Sequence, residues 1–125
     1  RDLARYPGQV PIDGYGENLF HFAGMAHAGA ILALPSGIYD WSPAEEGPRP
    51  ADFAALFAEM AAIDIVLLGT GVGLRPPAAE VRRAFAERAL ALDVMASPAA
   101  LSTYNLLLAE RRRVAAALLP VARLT

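Results

Sequence analysis

Three times between Ala51 and Pro120 a helix-like pattern gives way to a short apolar run, and few folds accommodate that order. Phe53, Leu56, Phe57 and Met60 recur at i, i+3, i+4 and i+7, which predicts one face of an amphipathic helix. "IDIVLLG" at 63–69 is β-branched, apolar and closed by glycine, so it predicts a buried strand. "PPAAEVRRAFAERA" predicts a second helix, with Pro76 and Pro77 in its first turn and Val81, Ala84 and Phe85 on its inner face. "LALDVM" at 90–95 is the next short strand. Ser97 is placed to cap a third helix with Pro98 at its first position, and Leu101, Tyr104, Leu107 and Leu108 supply its apolar stripe. Strands separated by helices favour parallel pairing through right-handed crossovers.

The last alternation contains three consecutive arginines, Arg111 to Arg113, between that helix and "VAAALLPV". As a basic patch they would attract phosphate. As the last helical turn they would meet the partial negative charge of the helix end, where cations are stabilising. The second reading is better supported, because no aromatic or basic companions gather nearby in sequence.

The first third has a different rhythm. Glycine turns at "IDGYGEN", "AGMAHAG" and "LPSGIYDW" punctuate strand-like runs at Leu19 to Phe22, Ala30 to Leu34 and Ile38 to Trp41, which predicts antiparallel hairpins. The proline-rich "SPAEEGPRP" at 42–50 then serves as a polar connector. The whole, residues 1–125, is read as a single α/β domain. Its central mixed β-sheet is covered by helices, with the N-terminal hairpins forming a layer at one side or edge.

Composition removes whole classes of chemistry. Cysteine is absent, so disulfides, thiol nucleophiles and cysteine metal sites are excluded. All eleven basic residues are arginine, which removes Schiff-base lysines and the lysine of a phosphate-binding loop. A net charge of −2 argues against a nucleic-acid partner. No apolar run approaches the ~20 residues of a transmembrane helix. The chain opens at Arg1 rather than methionine, which leaves the question of a targeting segment open.

Few residues then remain as site candidates. "LLGTGVGLRPP" at 67–77 places Gly69, Thr70 and Gly71 at a strand end before a helix, where ligands of open α/β sheets bind, with Arg75 as a second polar contributor. Leu74 stands where a dinucleotide fingerprint needs its third glycine, and Asp93 in the next strand is a weak imitation of a ribose-binding acid. The glycines therefore define either a small-molecule or anion crevice or simply a tight strand exit. His21 and His27 lack the further ligands of a metal site. Ser36, His27 and Asp40 have the composition of a triad without a nucleophile elbow. Glu45 and Glu46 read as solvated loop, and Tyr39 and Trp41 as core packing. No catalytic residue, metal site or cofactor is assigned.

The motifs "IDGYG" at 12–16, "GAILALPSGIYDW" at 29–41, "IDIVLLGTG" at 63–71 and "TYNLLLAERRRVAAALLP" at 103–120 resemble, in that order, a small family. It includes the mitochondrial complex I assembly factor 3 and many bacterial relatives. Family members commonly carry glycine between the glutamate and the arginine, where this chain has Arg111 between Glu110 and Arg112. A glycine there takes left-handed backbone that arginine disfavours. The resemblance implies a three-layer α/β fold. It also implies a non-catalytic role in the mitochondrial member, which helps assemble the membrane-associated arm of the respiratory NADH dehydrogenase. For this chain a cytoplasmic location, peripheral to the inner membrane, is the expectation. Tyr104, Asn105, Glu110 and Arg112 carry its signature, either holding the last helix to the sheet or presenting a recognition surface. Two readings follow: a protein-interaction module for a respiratory complex, or a small-molecule or anion-binding protein, or an unrecognised enzyme, working at the Gly69-Thr70-Gly71 crevice.

Overall fold

The computed structural model describes residues 4–122. Eight strands and three α-helices follow one another as β1 (Gly14–Gly16), β2 (Leu19–Phe22), β3 (Met25–Ala28), β4 (Ala30–Leu34), β5 (Gly37–Trp41), α1 (Ala54–Ala58), β6 (Ile65–Thr70), α2 (Ala79–Glu87), β7 (Ala91–Met95), α3 (Ser97–Ala109) and β8 (Val114–Leu119). A five-stranded mixed sheet has the order β5-β4-β8-β6-β7, antiparallel on the β5–β4–β8 side and parallel across β8–β6–β7. A separate antiparallel sheet, β1-β2-β3, forms the N-terminal hairpin layer.

Period-two alternation sorts the central sheet into two cores. Ala30, Leu32, Leu34, Val66, Leu68, Ala115 and Ala117 face one side, where Phe53, Leu56, Val81 and Phe85 of the α1/α2 layer cover them. Ile31, Ala33, Leu67, Val114, Ala116 and Leu118 face the other, under α3 and the small sheet, with Phe20, Phe22, Leu101 and Tyr104. The middle of β8 is three consecutive alanines, Ala115 to Ala117, all fully buried at the centre of the sheet. Each larger buried aromatic or aliphatic side chain of the two cores contributes ~1.5–3 kcal/mol. The fold is the three-layer α/β arrangement with a central mixed sheet.

Several local expectations are corrected. The glycine segments at 12–18 and 23–29 each contain a short strand, β1 and β3. The turns shrink to Glu17-Asn18 and Ala23-Gly24, the latter with φ of 51° and 76° as a tight primed hairpin requires. The helix of 51–60 is broken into a 3₁₀ turn at Pro50–Phe53, α1, and a 3₁₀ turn at Met60–Ala62, and Met60 is exposed. Here the Asp52 carbonyl accepts the Trp41 indole N–H (2.8 Å) and its carboxylate accepts the Arg49 and Ala44 N–H groups, which ties the segment to the connector. Pro76 and Pro77 precede α2 instead of opening it, and Ala78 is its N-cap. Ser97 and Pro98 are the first two residues of α3, and Ala96 is the N-cap. The arginines lie beyond the last helical turn, since α3 ends at Ala109.

Candidate functional site

The carboxyl ends of β6 and β8 open onto a cavity of about 300 Å³. Leu68 and Leu119 contribute apolar floor, Thr70, Arg75 and Pro76–Ala78 one wall, and the connector Ala44–Arg49 the other. Of the four residues expected at a crevice here, Thr70 and Arg75 line this cavity, whereas Gly69 and Gly71 do not. The connector was not expected in its wall, because nothing local shows that a polar, proline-rich loop folds back over a strand end. Glu45, Glu46, Glu80, Arg49 and Arg75 are the charged residues that line this cavity. Arg49 is already paired with Glu46 at 3.3 Å.

The polar groups of the strand exit are occupied by the fold itself. The Thr70 hydroxyl donates to the Gly73 carbonyl (2.6 Å) and accepts the Arg75 N–H (3.0 Å), closing the loop on itself. Gly71, at φ 93°, donates its N–H to the Ser97 hydroxyl (2.8 Å), and its carbonyl accepts the Ser97 N–H (2.8 Å). That same hydroxyl donates to the Leu119 carbonyl at 2.5 Å. A Cβ on Gly69 would stand 2.8 Å from the Ser97 hydroxyl oxygen and 3.0 Å from its Cα. Gly69 is therefore glycine because the first turn of α3 lies directly on β6, and Ser97 is the joint of three chain segments instead of a helix cap.

The signature of the last helix divides in two. Tyr104 is fully buried, and its hydroxyl donates to the Val10 carbonyl (2.8 Å). Burial pushes its phenol well above the ordinary tyrosine value, with the Gln9 side chain as a weaker opposing influence. The Asn105 carboxamide accepts the Ile12 N–H (2.9 Å) and donates to the Ile12 carbonyl (2.8 Å), imitating one rung of a sheet. Both residues thus clamp α3 to the segment that leads into β1. Glu110 and Arg112 are exposed and make no side-chain hydrogen bond or ion pair among the described residues.

The turn between them is a Schellman motif: the Arg111 N–H bonds the Leu108 carbonyl (3.0 Å) and the Arg112 N–H bonds the Leu107 carbonyl (2.9 Å). Arg111 occupies its left-handed position with φ 61°. Arg113 closes the joint on the other side, donating to the Ala61 carbonyl and pairing with Asp64 at 3.4 Å.

Elsewhere, Ser36, His27 and Asp40 are not brought into one chain of hydrogen bonds. His27 Nε2 meets Asp40 Oδ1 at 2.9 Å, while the Ser36 hydroxyl bonds Tyr39 and Glu59. His27 is buried, and its Nδ1 has no hydrogen-bond partner among the described residues. His21 is exposed on β2. No group of three or more potential metal ligands occurs among the described residues. No helix among them is long and apolar enough to cross a membrane.

This architecture is shared with known proteins. An uncharacterized protein of Rhodobacter capsulatus is 36% identical over 120 residues, covering 93% of this chain and 89% of that one. A zebrafish (Danio rerio) protein, NADH dehydrogenase (ubiquinone) 1 alpha subcomplex assembly factor 3, is 31% identical over 110 residues. That match covers 87% of this chain but 63% of the zebrafish protein, so the chain spans under two thirds of this relative's length. The crystal structure of a Bartonella henselae protein, described as an outer membrane protein, superposes with a TM-score of 0.89 at 41% identity, covering 94% of this chain and 99% of that one. The family described as "Protein of unknown function (DUF498/DUF598)" matches residues 12–119, from Ile12 to the end of β8, and the chain belongs to it.

Proposed function

We propose that this protein is a non-catalytic protein-interaction module that acts as an assembly factor for a membrane respiratory complex, working peripheral to the inner membrane from the cytoplasmic side. The observation that carries the reading is its 31% identity, across 87% of its length, to a protein named as a complex I assembly factor. The geometry supports it. Tyr104 and Asn105 are consumed in holding α3 in place, whereas Glu110 and Arg112, at the turn from α3 into β8, are left for a partner. Exposed charged groups of this kind select partners and speed association.

The test is a tagged pull-down from the native organism's membranes and cytosol, with mass-spectrometric identification. Respiratory-complex subunits are expected with the wild type and are expected to disappear with Arg112→Glu, whose exposed position leaves folding intact. Their absence from the wild-type sample, or recovery unchanged by Arg112→Glu, would count against the reading or against this surface respectively.

A second reading, a small-molecule or anion-binding protein, rests on the 300 Å³ cavity beside Thr70 and Arg75. With three carboxylates around it, the crevice suits a ligand with one anionic group and an apolar body better than a polyphosphate. A ligand at a hundredfold its dissociation constant stabilises the fold by ~2.7 kcal/mol. A thermal-shift panel of monocarboxylates and monophosphates should therefore show a clear rise, lost in Arg75→Ala. A panel without any shift removes this reading.

A further inference from the structure

The two edges of the five-stranded sheet are finished differently. At β5 the chain covers its own edge: the Arg5 N–H bonds the Ile38 carbonyl (2.7 Å) and the Ile38 N–H bonds the Tyr6 carbonyl (3.0 Å). At β7 one side pairs with β6 from Ala91 to Met95, and among the described residues no strand or loop pairs with the other side. A bare edge is a template for another strand, and proteins usually guard it with a charged side chain, above all lysine, or with proline or a bulge. "ALDVM" has no lysine and no proline; its one guard is the Asp93 carboxylate.

The helix beside this edge is unusual in the same direction. From Ser97 to Ala109, α3 contains no charged residue, although Ala99, Ser102, Leu106 and Ala109 face solvent and Leu106 is 58% exposed. A helix whose outward face carries no charge lacks the charged surface that a solvent-facing helix ordinarily presents. Its flank toward β7 is fixed by the Thr103 hydroxyl, which meets the Met95 sulfur at 3.7 Å. Alternation sets Leu92 and Val94 against the α1/α2 core and Met95 against the α3 core, so Asp93 lies on the α3 side of the edge. It is exposed and has no ion-pair partner among the described residues.

We propose that the β7 edge and the uncharged flank of α3 together receive an extended segment of a partner protein, which adds as a sixth strand and sets a basic residue beside Asp93. This rests on the interaction-module reading and names its surface and its kind of partner. The occupant is not a second copy of the chain: antiparallel self-pairing centred on Asp93 sets two carboxylates directly opposite, which is destabilising, and a two-residue shift leaves them diagonal neighbours while cutting the pairing of this five-residue strand to three. The same carboxylate therefore rejects self-association and selects a basic strand. The added strand gains main-chain bonds from β7 and an apolar wall from α3.

The probe is a synthetic segment, acetyl-Ser-Leu-Val-Arg-Val-Leu-Ser-amide, compared with its Arg→Glu counterpart. Binding is read by amide hydrogen exchange on the isotope-labelled protein. The arginine peptide is expected to slow exchange at residues 91–95 by about tenfold more than the glutamate peptide. Asp93→Arg should reverse that preference, and Leu106→Asp should weaken both peptides without altering the free protein's exchange in β4. Equal protection by the two peptides, protection confined to other strands, or none at about 1 mM overturns the proposal. Recovery of respiratory subunits that survives Asp93→Arg likewise overturns the edge as landing site while leaving the assembly reading intact. Selective β7 protection with no such subunits recovered keeps the edge and removes the assembly reading.

Discussion

Two helices in this fold end in the same motif with the wrong residue at its key position. After α2, the Ala89 N–H bonds the Ala86 carbonyl and the Leu90 N–H bonds the Phe85 carbonyl, both at 3.0 Å, and Ala89 has φ 53°. After α3, Arg111 stands at the equivalent place with φ 61°. A residue with a Cβ in left-handed backbone costs ~1–2 kcal/mol. Glycine removes that cost but loses ~0.5–1 kcal/mol more backbone entropy on folding. Ala89→Gly should therefore stabilise the protein by ~0.5–1 kcal/mol, since the Ala89 side chain is exposed and nothing else changes. For a chain of this size that is roughly 2–6 °C in Tm. Arg111→Gly should also stabilise, by less, because it gives up a cation beside the helix C-terminus. Urea melts at two salt concentrations separate the contributions. The Ala89→Gly gain should be salt-independent, and the Arg111→Gly gain should grow as salt screens the lost charge. A fall in midpoint for Ala89→Gly would refute the reasoning outright, because no charge or contact could be blamed.

Other outcomes follow from the same contacts. Asn105→Ala leaves the Ile12 N–H and carbonyl without their partners and should cost ~1–3 kcal/mol in urea unfolding, with a wild-type midpoint ruling out the clamp. Gly69→Ala puts a methyl group 2.8 Å from the Ser97 hydroxyl oxygen and 2.9 Å from Leu118, so ~1–3 kcal/mol of overpacking is expected; an undisturbed melt would mean that α3 lifts freely off β6. The buried Tyr104 phenol keeps its proton in the folded state above pH 10.0, where the unfolded chain loses it. Its contribution is thus complete below that pH and is lost as pH rises toward the higher folded value, so midpoints should fall more steeply in alkali for the wild type than for Tyr104→Phe. Parallel curves would show that another group governs the alkaline loss.

Much of this was legible in the residues. The alternation from Ala51 onward places β6, β7 and β8 and their intervening helices, because period 2 and period 3.6 are written in adjacent side chains. The resemblance carried by "TYNLLLAERRRVAAALLP" led to the family. It also pointed to Arg111 as the place where a glycine conformation was wanted, and the left-handed φ found there gives that substitution its physical meaning. The short strands β1 and β3 were hidden because glycine-rich sequence is read as turn, and a three-residue strand is defined only by its partner across the ladder.

Chain order and residue type alone determine that this is a mixed α/β protein without cysteine or lysine chemistry, that Phe85 and Tyr104 point inward, and that Gly69–Gly71 ends a buried strand. Only the tertiary structure decided what those groups do. Ser97 became the meeting point of Gly71 and Leu119, Asn105 found Ile12 ninety-three positions away, and the connector at 42–50 folded over the end of β6. Periodicity reports a side chain's direction relative to its own element. Its hydrogen-bond partner depends on which distant segment the topology lays beside it, and no local pattern encodes that.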